Sequence, residues 1–154
     1  MTTIALDIIF REATVADVPA MFDVRTSVVE NAMTWQQLAN RGITPATVAA
    51  SLMTDHKAWV AERGEKIVGF AIADESDGSI FALFVRPADE GRGVGTRLLD
   101  LAVQWLWQRG RNVVTLTTGS GTRAAAFYRT RGWQDAGIQP NGEVRFELRR
   151  DGSL

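Results

Sequence analysis

Apolar residues fall in short blocks through the first half of the chain and in a long helical stripe through the second. "LDIIFREA" (residues 6–13) is β-branched and bounded by polar residues, which predicts a strand. Thr14 then stands as a helix cap with Asp17 three residues on. Val18, Met21, Phe22, Val28 and Val29 share one helical stripe that runs to about Glu30. Arg25 interrupts that stripe, so its stem is expected to pack while its head reaches solvent or a carboxylate. "NAMTWQQLANRG" has no clean period and reads as a loop or a broken helix. "ITPATVAASLM" starts a helix again, with Thr44 as cap and Pro45 in the first helical position.

"KAWVAERGEKIVGFAIADESDGSIFALFVRP" predicts three antiparallel strands, turning at Gly64-Glu65 and at Ser76-Asp77-Gly78, with Pro87 ending the third. From Val94 to Gln108 an apolar face of Val94, Leu98, Leu99, Leu101, Ala102, Trp105 and Leu106 is broad enough to cover a sheet, and Gly110 stops the helix. "NVVTLTT" reads as a buried strand, "TRAAAFYRTRG" as a helix ended by Gly132, and "WQDAGIQPNGEVRFELRR" as a hairpin around Pro140-Asn141-Gly142. "DGSL" reads as a frayed tail. The strand, helix, strand unit over residues 81–117 is most simply a crossover, locally parallel inside an otherwise antiparallel sheet. The expected class is α/β: a mixed, mostly antiparallel sheet of about seven strands with about four helices, forming a single domain over residues 1–154.

Composition narrows the chemistry. Net charge is −1, so nothing global draws the chain to nucleic acid or an anionic membrane, and any anion site must be built locally. There is no cysteine, which removes disulfides, thiolate catalysis and thiolate zinc sites. One histidine, His56, leaves no basis for a His-based metal cluster or a Ser-His-Asp triad, so no metal is expected. "MTTIALDIIFREAT" lacks a basic region followed by a long apolar one, and no stretch approaches 18 apolar residues, so a cytoplasmic location is expected.

"PADEGRGVGTRLLD" (residues 87–100) sets three glycines at a helix start, where each costs roughly 1 kcal/mol against alanine. Glycines there let a ligand approach the backbone, and the helix N-terminus suits phosphate. A tight connection without a ligand is the plainer alternative. The run is neither a Walker loop, since no lysine follows, nor G-x-G-x-x-G. A second cluster, "GSGTRA" (residues 119–124), does match G-x-G-x-x-A and suggests dinucleotide binding taken alone. That fingerprint wants an acid about 20 residues on, at the end of the next strand, and only a short hairpin follows.

"LFVRPADEGRGVGTRLL" is similar to the acetyl-CoA loop of the GNAT superfamily of N-acetyltransferases, with Gly93 and Gly95 at its two glycine positions. "GTRAAAFYRTRGW" resembles the family's second motif through Ala124, Phe127, Tyr128, Gly132 and Trp133, and "AWVAERGEKIVGFAIA" looks like its middle hairpin. The similarity covers nearly the whole chain in order and spacing. It implies a GNAT-like sheet splayed in the middle, where residues 81–85 part from the next strand and a pantetheine arm bonds like an added strand. It implies a cofactor site of Phe84, Val85, Glu90, Gly91, Arg92, Gly93, Val94, Gly95, Thr96, Ala124 and Phe127. Two positions depart from the family. Glu90 stands where Arg or Gln is usual, so Arg92 or Arg97 is expected to supply positive charge. Gly121 replaces an Asn, with Thr117 or Thr118 as substitutes.

By the same resemblance the reaction moves an acetyl group from acetyl-CoA to a primary amine, with Tyr128 as general acid to the leaving thiolate and an N–H near Val85 facing the oxyanion. A core aromatic is the structural alternative for Tyr128. For the base, Glu30, Asp74, Glu75, Asp77 and a water chain stay open, and His56 is expected on the surface. Glu30, Asn31 and Trp35 are reasonable walls for the amine: a carboxylate for an ammonium, an aromatic for its apolar part. Trp105 and Trp107 lean to opposite faces, one expected in the core and one over an interface, and a homodimer is common in similar proteins. A small-molecule amine is the expected partner. A non-catalytic acyl-CoA sensor of the same fold and a nucleotide-binding protein are the competing readings.

Overall fold

A computed structural model of the chain describes residues 7–150. Leu6, the first residue of the predicted strand, and the "DGSL" tail lie outside them. The elements are β1 (Ile8–Glu12), α1 (Val18–Arg25), α2 (Trp35–Asn40), α3 (Pro45–Leu52), β2 (His56–Arg63), β3 (Lys66–Asp74), β4 (Ser79–Val85), α4 (Val94–Gln108), β5 (Val113–Gly119), α5 (Arg123–Thr130), β6 (Gln134–Ile138) and β7 (Glu143–Arg149). They form one seven-stranded sheet in the order β1-β2-β3-β4-β5-β7-β6. Every neighbouring pair is antiparallel except β4 and β5. The expected mixed sheet and crossover are present, with five α-helices among the described residues. No helix among the described residues is long and apolar enough to cross a membrane.

The helices differ from expectation where side chains intervene. α1 stops at Arg25 because the hydroxyls of Thr26 and Ser27 bond back to the carbonyls of Phe22 and Val24 at 2.9 and 2.6 Å, competing with the ladder. Val29 is therefore 84% exposed and belongs to no stripe. α2 exists because Thr34 and Gln37 cap its start reciprocally, although it buries only Leu38. Asp17 receives N–H bonds from Arg11 on β1 and from Thr14, pinning the start of α1 to the sheet. The Arg11 guanidinium holds the Asp17 carboxyl down at about 2.

Two cores lie on opposite faces of the sheet. One gathers Leu98, Ala102 and Leu106 of α4 with Val68, Leu116, Tyr128 and Phe146. The other sets Val18, Phe22 and Val24 of α1 and Val48 of α3 against Val60, Phe70 and Ile72. α4 presses close to β3 at Gly69, where a Cβ would lie 3.1 Å from Leu98 and 3.2 Å from the Phe84 carbonyl oxygen. Trp105 and Trp107 are both half-buried against the α4 core.

Candidate active site

β4 and β5 touch at one register pair, Ser79 with Thr115, beside a bond from the Thr115 N–H to the Gly78 carbonyl at 3.1 Å. Beyond that point they part. The register between β3 and β4 skips Phe81, a one-residue bulge that bends β4 as it leaves β5. The Arg86 N–H bonds to the Val68 carbonyl on β3 at 2.8 Å. Strand alternation then turns the ladder groups of Val85 and Leu83 toward the gap. By the same alternation from Thr115, those of Thr117 and Gly119 face it from β5. Two rows of backbone donors and acceptors thus line an opening that an extended ligand can pair with. Val85 turns its backbone to the gap, whereas the Phe84 backbone faces β3 and its ring lies on the α1 side. Leu83, two residues before Val85, is the gap-facing position that sequence reasoning passed over.

At the open end of the gap the chain enters α4. Gly91 and Gly93 hold φ of +77° and +80°, and Gly93 caps the helix without a side chain. The first intrahelical bond, from the Arg97 N–H to the Gly93 carbonyl, leaves the amides of Val94, Gly95 and Thr96 free of helical partners. Gly95 is different from its neighbours. A Cβ there would sit 3.7 Å from Val85 and 3.8 Å from Phe127, an ordinary contact. The protein's own packing tolerates a larger residue, and the glycine keeps clear space between Val85 and Phe127.

The charges around the loop come from unexpected places. Glu90 pairs with Arg123 at the start of α5 (3.2 Å), not with Arg92 or Arg97. The latter two are exposed and make no side-chain hydrogen bond or ion pair among the described residues. Arg131 lies over Phe127, 3.6 Å from the ring centroid, and donates to the Thr96 hydroxyl at 2.6 Å. A guanidinium from the end of α5 therefore sits beside the first turn of α4, a placement with no local sequence signal. Asp89 is 1% exposed and held by Arg63 at 2.9 Å, anchoring the loop to the end of β2. Ala124 is exposed on the first turn of α5, and Thr122 caps that helix through the Ala125 N–H.

Tyr128 is buried among Phe127, Trp133 and Phe146, with ring centroids 5.3, 5.6 and 6.0 Å away. Burial pushes its hydroxyl well above the ordinary tyrosine value, so it stays protonated at neutral pH. The hydroxyl has no hydrogen-bond partner among the described residues, yet no sealed side-chain polar atom is left unpartnered. It therefore opens to accessible space.

On the opposite face a cavity of about 450 Å³ reaches the foot of the gap. Its walls include Asn31 together with Arg25, Arg41, Asp77, Phe84 and Thr117. Glu30 and Trp35 do not line it. The Glu30 carboxylate accepts the Arg123 N–H at 2.6 Å, capping α5, and Trp35 packs on Phe22. Arg25 pairs with no carboxylate among the described residues and lines this cavity instead. Among the acids considered as bases, Asp77 lines the cavity, Glu75 pairs with Arg109, and Asp74 receives the Ser76 hydroxyl. His56 is not on the surface: its side chain is 14% exposed, its Nδ1 is 2.7 Å from Asp55, and its ring meets Phe81 edge-on.

The profile of the acetyltransferase (GNAT) family matches residues 28–133, which include the loop, α4, the gap and Tyr128. The chain belongs to the GNAT family. A curated relative, an uncharacterized N-acetyltransferase of Methanocaldococcus jannaschii, is 32% identical over 87 residues, covering 50% of this chain and 38% of its own. The chain thus spans about half or less of the length of the curated relatives it matches. The PaiA N-acetyltransferase from Thermoplasma acidophilum, solved in complex with coenzyme A, superposes with a TM-score of 0.82 at 12% identity, over 94% of this chain and 99% of that one. The acetyltransferase yncA from Salmonella typhimurium, solved with acetyl-CoA, gives 0.73 at 18% identity, over 92% and 93%. At these identities the likeness is one of GNAT fold.

Proposed function

We propose that this chain transfers an acetyl group from acetyl-CoA to a primary amine by direct attack within a ternary complex. The observation that carries the reading is the β4–β5 gap, with unpaired ladder groups on both strands and a glycine-cleared helix start at its open end. A long cofactor with a pyrophosphate in its middle needs both features together. The residues present fit it: Leu83, Val85, Thr117 and Gly119 for the pantetheine amides, and the N–H groups of residues 91–96 for the pyrophosphate. Arg131 stands close enough to Thr96 to add positive charge.

Acetyl-CoA supplies a thioester electrophile. The Val85 N–H, fixed in the strand and aimed at the gap, is suited to meet the charge that grows on the carbonyl oxygen. Tyr128, kept protonated by its apolar surroundings, is suited to give its proton to the departing sulfur. The amine enters from the cavity and sheds its proton toward the carboxylates that line it, Asp77 and Glu143. The absence of cysteine fits a path without a thiol acyl-enzyme. The dinucleotide reading of residues 119–124 is disfavoured because the Glu30 carboxylate already takes the Arg123 N–H at the start of α5.

Free thiol release from acetyl-CoA, followed over a panel of primary amines with both substrates varied, tests this. Amine-dependent release with intersecting reciprocal plots is expected. Tight acetyl-CoA binding without release for any amine would favour a sensor instead.

A further inference from the structure

Arg25 carries the one charge in the α1 core that its surroundings do not answer. The residue is 9% exposed, and its guanidinium lies over the Phe84 ring, 4.3 Å from the centroid. Its only hydrogen bond among the described residues runs from one terminal nitrogen to the Asn31 carbonyl at 3.2 Å. A guanidinium has five N–H donors, and no carboxylate lies within ion-pair distance of this one among the described residues. Arg25 lines the cavity, and its unpartnered nitrogens are not sealed from it by protein. Burying a charge without a counter-charge is costly, and buried cations are ordinarily paired.

A second cation makes the imbalance sharper. Arg41, just past α2, lines the same cavity and has no side-chain partner among the described residues. Burial and repulsion from Arg41 both pull the Arg25 pKa down from its ordinary value. The cavity's carboxylates lie on its other wall and are engaged there: Asp77 accepts from Ser79, and Glu143 from Asn141. The cavity is thus cationic on the α1–α2 wall and mixed on the β4–β7 wall, where Arg145, paired with Glu147 at 3.4 Å, stands beside Asp77 and Glu143. Met21, Phe22 and Phe70 also line it.

We propose that the acceptor is a small amine carrying a carboxylate, an amino acid with an apolar body, whose carboxylate is bound by Arg25 and Arg41 while its amine points to the β4–β5 gap. This rests on the acetyltransferase reading and names its substrate class. The carboxylate completes Arg25's hydrogen bonds and separates the two guanidiniums electrically; Arg can take it as a planar, two-bond pair. The pyrophosphate of acetyl-CoA is not the missing anion, because α4 and its loop pack on the opposite face of the sheet. A cavity of about 450 Å³ is large enough to take a single amino acid.

The test uses the whole chain saturated with coenzyme A and matched ligand pairs: N-acetyl-leucine, N-acetyl-methionine and N-acetyl-phenylalanine against their carboxamides. Calorimetry is expected to show at least one acid binding roughly 10- to 100-fold more tightly than its amide, the worth of a charge-assisted hydrogen bond. Arg25→Gln abolishes the preference, Arg25→Lys restores part of it, and Arg41→Gln, an exposed change that keeps the fold, reduces it. Equal or tighter binding of the amides, no binding of any acid at millimolar concentration, or a preference that survives both glutamine variants would overturn the proposal. Thiol release with the free amino acids and amino acid amides separates the two claims. Turnover without acid preference removes the carboxylate site and keeps the acetyltransferase; acid-selective binding without turnover does the reverse.

Discussion

Arg123 at the start of α5 holds Glu90 of the loop before α4 at 3.2 Å, and so ties together the two chain segments that follow the diverging ends of β4 and β5. The carboxylate that looks misplaced beside a phosphate site is thereby answered from across the gap. Both groups are well exposed to solvent, so the pair contributes little to stability. Its effect is on the field at the loop. Arg123→Ala is expected to weaken acetyl-CoA binding several-fold with almost no change in Tm, and Glu90→Gln to strengthen it. Titration calorimetry at two salt concentrations checks this, because the Arg123→Ala loss should shrink as salt rises.

Gly95 separates the demands of the fold from those of a ligand. Alanine there meets Val85 and Phe127 at ordinary contact distance and improves helix propensity. Gly95→Ala should therefore raise stability by up to ~1 kcal/mol while raising the KM for acetyl-CoA. Thermal melts and initial rates measured on one preparation should move in opposite senses.

Tyr128→Phe is expected to lower kcat by about 10²- to 10⁴-fold, the usual share of a positioned acid, with acetyl-CoA affinity nearly unchanged. The phenol also links to stability. Its folded pKa is raised by burial, so its contribution is complete below the unfolded value near 10 and is lost as pH climbs above that. The wild type should lose stability above about pH 10, and Tyr128→Phe should lose less, by denaturant melts across that range.

Asp17 works at the acid end. Its pKa is held at about 2, against an ordinary 3.8, by Arg11. A lowered folded value gives stability that is present above 3.8 and drains as pH falls toward 2. Asp17→Asn should be less stable than the wild type at neutral pH, and the difference should narrow in acid.

Elements with local punctuation were legible in the chain. Gly64-Glu65, Ser76-Asp77-Gly78 and Pro140-Asn141-Gly142 mark hairpins, and the apolar face from Val94 to Leu106 marks α4. The end of α1 was not legible, because Val28 and Val29 extend its period while Thr26 and Ser27 bond backward and stop it. α2 was legible only as a loop or a broken helix, because one buried leucine makes no period. The glycines of the loop and the buried Tyr128 could be found from motif resemblance. The charges could not: Glu90 with Arg123, Asp89 with Arg63 and Thr96 with Arg131 are partners only once the sheet brings distant segments together. Arg25 did leave a trace, as the one charge on an apolar stripe.

The proposed reaction rests on acetyl-CoA occupying the β4–β5 gap and the start of α4. Amide resonances of the isotopically labelled chain, followed as acetyl-CoA is added, test it most directly. Shifts are predicted at Leu83, Val85, Thr117, Gly119 and residues 91–96, larger than elsewhere. Shifts confined to residues 119–124, or none in the gap at saturating acetyl-CoA, would contradict it.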